Sequence, residues 1–352
     1  MTLRSTALVV GATGAVGEPL AALLSASPGF RVVGLCRRPP PVPGAITYVA
    51  VDLLDPDACR AAVALAGDVT QVFYAARAPH GEGGRENVED NVAMLRTVLD
   101  AAENAAPGLA HVHLVEGGKW YGLHLGPYRT PAREDDPRHP PPNFYFDQED
   151  LLIERQRGRG WHWSSSRPNV VCDVAPGRGR NLVSTIGAYA AICRATGSPF
   201  DFPGTEAGWS TVTELTDARH LSRAIRWMAT QPACADRAFN VTNGDLFRWR
   251  DLWPAIAATL GVSAGGPRPF RLVEAMADAA PVWDAIVARH GLQPLPIERV
   301  ANWGFADFVF GQDWDVASDL GRLRSTGFVE TVDTPAMVRM QLDGYRAARV
   351  LP

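Results

Sequence analysis

The sequence predicts an α/β fold: a doubly wound parallel sheet with a smaller, mostly helical C-terminal part. Three observations carry this. The stretch Leu8-Val9-Val10-Gly11-Ala12-Thr13-Gly14-Ala15-Val16-Gly17 is an apolar run, then glycines at G-x-x-G-x-x-G spacing, then a helical pattern, which is the order strand, tight turn, helix. Short apolar runs then alternate with helical periods through the first half of the chain. After Val171 the alternation fades, and from Arg248 the chain is mostly helical and rich in Trp and Phe.

The glycine turn carries the first functional implication. Glycines there remove side chains that would hold the backbone away from a pyrophosphate, and the following helix offers free N–H groups to the anion. A plain βα turn would have the glycines without the ligand; the strand before and the helix after supply the required context. Gly11, Thr13, Gly14, Val16 and Gly17 are therefore assigned to dinucleotide binding on a Rossmann-like sheet.

The remaining elements follow in order. Pro19–Ser25 is the first helix, and Arg31–Cys36, Thr47–Asp52 and Val69–Ala76 are the second to fourth strands. Asn87–Ala105 places Val92, Leu95, Val98 and Leu99 at helical spacing after a Gly-rich loop. His111–Glu116 is the fifth strand, with His111 and His113 read as satisfied strand residues. Tyr145–Gln156 is a helix reached through the proline loop Pro137–Pro142; Pro39–Pro43 is another such loop. Trp163–Val171 is the sixth strand. Asn181–Thr196 reads as a helix, and Trp209–Glu214 and Ala238–Thr242 as short strands around the helix Asp217–Ala229. The expected organisation is a nucleotide domain over residues 1–180, completed by about 205–245, with about 181–204 and 246–352 as a substrate-binding cap. Trp249, Trp253, Trp303 and Trp314 are expected in the core of that cap.

Bulk properties narrow the class. The chain has 352 residues, 46% hydrophobic and 20% charged, which fits one large or two coupled globular domains. A net charge of −4 gives no basis for a nucleic-acid or membrane-surface partner. Cys36, Cys59, Cys172, Cys193 and Cys234 are scattered, without C-x-x-C, and read as reduced core thiols of a cytoplasmic protein. The histidines show no ligand spacing, so no metal is expected. The N-terminus runs into the first strand rather than a signal peptide, and the apolar run Leu182–Cys193 is too short to span a bilayer.

The end of the second strand selects the nucleotide. An NAD site of this kind holds an acidic residue there for the ribose 2′-hydroxyl. Between Glu18 and Asp52 this chain has no Asp or Glu, and Cys36-Arg37-Arg38 stand at the expected place. Arg37 and Arg38 suit a 2′-phosphate through charge-assisted hydrogen bonds, so NADP(H) is the expected cofactor. Asp52 and Leu53 follow the third strand, where Asp52 either meets the adenine or caps a helix starting near Pro56. Ala75 and Ala76 at the end of the fourth strand, and Pro168 and Val170 near the end of the sixth, are placed against the cofactor because this fold gathers ligands at strand C-termini.

Lys119 is the chain's one lysine and follows the fifth strand, where a compact cation can sit near a reacting oxygen. No Tyr in the chain has Lys four residues on; Tyr145 has Glu149 there. The motifs Gly117-Gly118-Lys119-Trp120-Tyr121-Gly122, Asn143-Phe144-Tyr145-Phe146-Asp147-Gln148-Glu149-Asp150, Ser166-Arg167-Pro168-Asn169, Phe202-Pro203-Gly204 and Ala238-Phe239-Asn240-Val241-Thr242-Asn243-Gly244-Asp245 resemble those of the progesterone 5β-reductase/iridoid synthase-like enzymes, atypical extended short-chain dehydrogenases. The resemblance runs from the glycine loop to the end of the chain. It implies that Lys119 and Tyr145 are the catalytic pair, and that the reaction is NADPH-dependent reduction of a C=C bond conjugated to a carbonyl. Tyr145 would donate to the developing enolate oxygen, with Lys119 stabilising the charge and the Tyr. Three positions depart from the family: Trp120 replaces a His, Arg77 replaces a substrate-lining Trp, and Ser166 replaces a His. A steroid or monoterpene substrate is therefore not carried over.

The expected partner is a small enone or carbonyl substrate, with a homodimer left open. Two other readings stand beside ene reduction: a carbonyl or aldehyde reductase on the same scaffold, and an NADP-sensing protein without chemistry, which would need neither Lys119 nor Tyr145. Tyr121 competes with Tyr145 as the acid, and Asn181 and Tyr189 are further candidates for the nicotinamide side.

Overall fold

A computed structural model describes residues 5–40, 44–79 and 86–352. The Gly-rich loop before Asn87 and part of the Pro39–Pro43 loop lie outside the described residues. The first half of the chain runs β1 (Ser5–Val10), α1 (Gly17–Ser25), β2 (Phe30–Cys36), β3 (Thr47–Ala50), α2 (Pro56–Ala66), β4 (Val69–Tyr74), α3 (Val88–Ala105), β5 (His111–Val115), α4 (Phe144–Gln156) and β6 (His162–Pro168). Then follow β7 (Val171–Cys172), α5 (Leu182–Thr196), β8 (Phe200–Phe202), α6 (Glu206–Ser210), β9 (Thr216–Asp217), α7 (Ala218–Thr230) and β10 (Arg237–Val241). The C-terminal stretch comprises α8 (Trp249–Leu260), β11 (Ala264–Pro267), α9 (Leu272–Ala275), α10 (Ala280–His290), α11 (Trp303–Phe310), α12 (Gly321–Ser325) and α13 (Thr334–Ala347).

Seven strands form one parallel sheet in the order β3-β2-β1-β4-β5-β6-β10. The order reverses between β1 and β4, and at that point an open α/β sheet leaves a crevice above its strand ends. Leu8, Val10, Val72, Val112 and Leu114 are fully buried, as central parallel strands covered by helices on both faces require. A separate apolar cluster lies in the C-terminal half around Trp253, Trp283, Phe202 and Phe310. Helix α5 runs through it, buried from Leu182 to Cys193, which is why its sequence is apolar all round. Among the described residues, no helix is long and apolar enough to cross a membrane.

Three expectations are corrected. Trp209–Glu214 is not a strand: Thr205 accepts the Gly208 N–H and caps the short helix α6, and extended chain follows. The sixth strand does not run unbroken to Val171. It ends at Pro168, and Val170 turns the chain at φ 34° before β7 pairs with β9 in a separate ladder. Finally, the cap of α2 is Asp55, which accepts from the N–H groups of Asp57 and Ala58; Asp52 is left for another task.

Candidate active site

The crevice holds two adjoining cavities that share Ala75, Ala76 and Arg77 as walls. The first, of about 490 Å³, is lined by Gly11, Thr13, Gly14, Arg37, Asp52 and Leu53 among others. The second, of about 290 Å³, is lined by Val16, Lys119, Tyr145, Pro168 and Val170 among others. Two residues assigned from the sequence line neither cavity: Gly17, buried behind the turn, and Arg38, exposed next along the chain from Arg37.

The first cavity is built from backbone. Gly11 has φ 81°, and a Cβ on it would sit 2.9 Å from the Ala75 carbonyl and the Ala76 nitrogen; only glycine lets the turn cross the end of β4. A Cβ on Gly17 would overlap the Gly11 carbonyl oxygen. Helix α1 starts after Val16 with no side-chain cap, whereas α2, α3, α4, α5 and α7 are capped by Asp55, Asn87, Asn143, Asn181 and Asp217. Although the Glu18 N–H is taken by the Gly14 carbonyl and Pro19 has none, the positive dipole end of the helix meets the crevice without a capping side chain, a fit for a dinucleotide pyrophosphate. Arg37 is exposed on the cavity wall at the end of β2. Asp52 Oδ1 accepts from the Leu54 N–H at 3.0 Å, which fixes the turn. Burial pushes the Cys36 thiol up, so it is a poor nucleophile.

The second cavity is built from side chains. Asn143 caps α4 by accepting the Tyr145 N–H at 3.1 Å, and its amide donates to the Lys119 carbonyl at 2.9 Å. One buried residue therefore ties the turn after β5 to the helix that carries Tyr145. The Tyr145 hydroxyl lies against Gly117, where a Cβ would come within 3.1 Å of it. Among the described residues, nothing hydrogen-bonds that hydroxyl. Burial pushes its pKa up to about 12; Arg77 pulls it down, Glu86 and Glu116 add to the rise, and Arg180 pulls it down. The Lys119 ammonium is engaged elsewhere, donating to Glu86 at 2.6 Å. The cations that shift the hydroxyl are Arg77 and Arg180, while Lys119 lines the same cavity.

A buried ionic clamp holds these parts together. Arg167 on β6 donates to Glu116 at 2.8 Å and to Glu149 of α4 at 2.7 Å. Its guanidinium lies 3.6 Å from the centre of a Trp120 ring. Burial raises the Glu116 carboxyl, with Arg167 opposing it. The residue four places after Tyr145 is thus an anion turned inward onto Arg167.

Several candidates fall away. Tyr121 donates to Asn240 at 2.6 Å and lines neither cavity. Asn181 is spent on capping α5 and on Asp173, and Tyr189 donates to the Asp201 carbonyl. The four cap tryptophans line neither cavity; Phe305 and Phe308 of α11 line the second. Sequence reasoning missed Arg178 and Arg180, one on each cavity. Two arginines in a glycine-containing turn just past the sixth strand were the available signal.

A family model described as the PRISE-like Rossmann-fold domain matches residues 53–352. A 3-oxo-Delta(4,5)-steroid 5-beta-reductase of Arabidopsis thaliana is 35% identical, covering 100% of this chain and 94% of that protein. An (S)-8-oxocitronellyl enol synthase of Nepeta cataria is 35% identical over 99% of this chain and 94% of its own length. Among solved structures, the UDP-glucose 4-epimerase of Thermus thermophilus superposes with a TM-score of 0.69 at 18% identity, over 97% of this chain and 99% of that one, a likeness of fold. With matches of this extent, the chain belongs to the PRISE-like Rossmann-fold family.

Proposed function

We propose that this oxidoreductase is an NADPH-dependent reductase of C=C bonds conjugated to a carbonyl. The observation that carries the reading is the Tyr145 hydroxyl, half-buried, uncommitted and facing the second cavity beside the glycine turn. The relatives named as an enol synthase and a steroid 5-beta-reductase support the reaction class.

The first cavity holds the adenosine half: Gly11, Thr13 and Gly14 approach the pyrophosphate, Arg37 meets the 2′-phosphate with Arg38 beside it, and Asp52 and Leu53 flank the adenine. Ala75, Ala76, Val16, Pro168 and Val170 flank the nicotinamide half. When bound, the reduced nicotinamide supplies hydride to the carbon β to the carbonyl. Negative charge then grows on the carbonyl oxygen. A hydroxyl whose pKa is raised is neutral at pH 7 and keeps its proton to donate to that oxygen. Arg77 and Arg180 add positive potential where the charge grows. Lys119, held by Glu86, fixes the wall of the cavity, and its cation is the second member of the proposed pair. The α-carbon takes its proton from solvent. Phe305 and Phe308, from the C-terminal segment assigned to the cap, exclude water from the apolar side.

A screen of small enones and simple carbonyls with NADPH, scored by product structure, tests the proposal. Saturated ketones are expected. Allylic alcohols as the sole products would move the chain to the carbonyl-reductase reading, and no turnover of any substrate would favour the sensor.

A further inference from the structure

One of the two cations of the second cavity is placed to hold an anion as well as to favour the developing enolate. Arg180 lies at the end of the turn leading into α5, and its guanidinium is 4.5 Å from the centre of the Phe305 ring. Among the described residues, no carboxylate is within ion-pair distance of it. Arg178, two residues earlier, has a different task. It pairs with Glu18 and Asp173, donates to the Thr13 carbonyl at 3.1 Å, and lines the first cavity. Arg180 lines the second, with Phe144, Phe305 and Phe308 as apolar walls.

Arg180 is solvent-accessible, yet desolvation and then repulsion by Arg77 pull its pKa below the usual arginine value. A cation in that position is stabilised by any anion that enters. Glu116 does not serve, because its carboxylate is held by Arg167. The cavity of about 290 Å³ must also take a nicotinamide ring, so the remaining space suits a small molecule.

We propose that the substrate is a small enone bearing a carboxylate, held by Arg180 while its carbonyl faces Tyr145. A guanidinium presents paired N–H donors that match a carboxylate. The carboxylate is a spectator: one hydride from the reduced nicotinamide and one proton from solvent add across the C=C bond. The inference rests on the ene-reductase reading above. The same guanidinium chemistry could serve a cofactor phosphate, and the test separates the two.

The probes are an acyclic enone ending in a carboxylate two methylenes from the alkene, its methyl ester, and the saturated forms of both. With NADPH, kcat/KM for the acid should exceed that for the ester by about tenfold or more, the scale of charge-assisted hydrogen bonds. Arg180→Ala should collapse that ratio toward one, and Arg180→Lys should restore part of it. Binding of the saturated acid, followed by tryptophan fluorescence with NADP+ present, should weaken in parallel, while direct NADPH binding should not. An acid-to-ester ratio near one in the unmodified protein overturns the proposal. So does a loss of NADPH affinity in Arg180→Ala as large as the loss for the acid, which would make Arg180 a phosphate ligand. If neither enone is reduced, the reaction class fails, and binding of the saturated acid against the ester still decides whether the cavity takes anions.

Discussion

At the scale of single residues, the site depends on which polar atoms are already spent. Tyr145 keeps a free hydroxyl because its neighbour is Gly117, with no side chain to occupy the space, and because Asn143 bonds the Tyr145 backbone rather than the phenol. Tyr145→Phe removes the proposed donor and leaves the ring. Steady-state assays should find enone reduction lower by on the order of a hundredfold, the usual loss for one oxyanion donor, with NADPH binding retained. Unchanged turnover would remove Tyr145 from the mechanism. Arg37 is the second such residue. It stands on the first cavity at the strand end where an NAD site holds an acid, whereas Arg38 is exposed outside the lining. Arg37→Ala should raise KM for NADPH with little change in kcat, because the 2′-phosphate is far from the reacting carbon. Arg38→Ala should do less, and equal use of NADH and NADPH by the unmodified chain would contradict the assignment. Arg37 was read from its type and position, and Tyr145 from the family resemblance. Arg180 was not, because its partner ring belongs to α11, more than a hundred residues later in the chain. The ion pair between Lys119 and Glu86 was hidden for the same reason.

At the scale of elements, the sheet was legible because its strands are short apolar runs alternating with segments of helical periodicity. What hid the helix α6 was a Thr cap followed by Trp209, a residue that reads equally well in a strand. What hid the break after β6 was Val170, a β-branched residue whose positive φ no propensity would assign. Strain of that kind often sits at functional sites, and Val170 lines the second cavity. The clamp of Arg167 on Glu116 and Glu149 joins β5, β6 and α4, the three elements that deliver Gly117, Pro168 and Tyr145. Arg167→Met would leave Glu116 buried without its cation, while Glu149 keeps Arg138 at 2.8 Å, a loss of about 3–5 kcal/mol measurable by denaturant unfolding. Adding Glu116→Gln should recover part of it. If the single variant is as stable as the unmodified chain, the clamp does not hold the site.

At the scale of the whole molecule, the fold commits several histidines to the neutral state. His111 and His113 lie side by side on β5, hydrogen-bonded to Ser164 and to Ser164 and Ser166 of β6. Burial lowers His111 to about 4 and His113 well below its usual value. Desolvation also lowers His124 to about 4 and lowers His220. In the unfolded chain each titrates near about 6.5. Below that pH the unfolded state binds more protons than the folded one, so stability is full above about 6.5 and is lost as pH falls toward 4. Glu214 works in the opposite sense. Its burial raises the carboxyl to about 7, so its contribution is present below the ordinary carboxylate range and is lost as pH rises through about 7. Glu116, Glu134 and Asp173, whose carboxyls burial also raises, act in the sense of Glu214, so the four histidines and these carboxyls oppose one another on the acid side. Imidazole proton resonances of His113 should not titrate near the ordinary histidine value in the folded chain, a readout that needs no variant. A His113 titrating near its ordinary pKa would mean that the β5–β6 contact is wetter than its hydrogen bonds to Ser164 and Ser166 require.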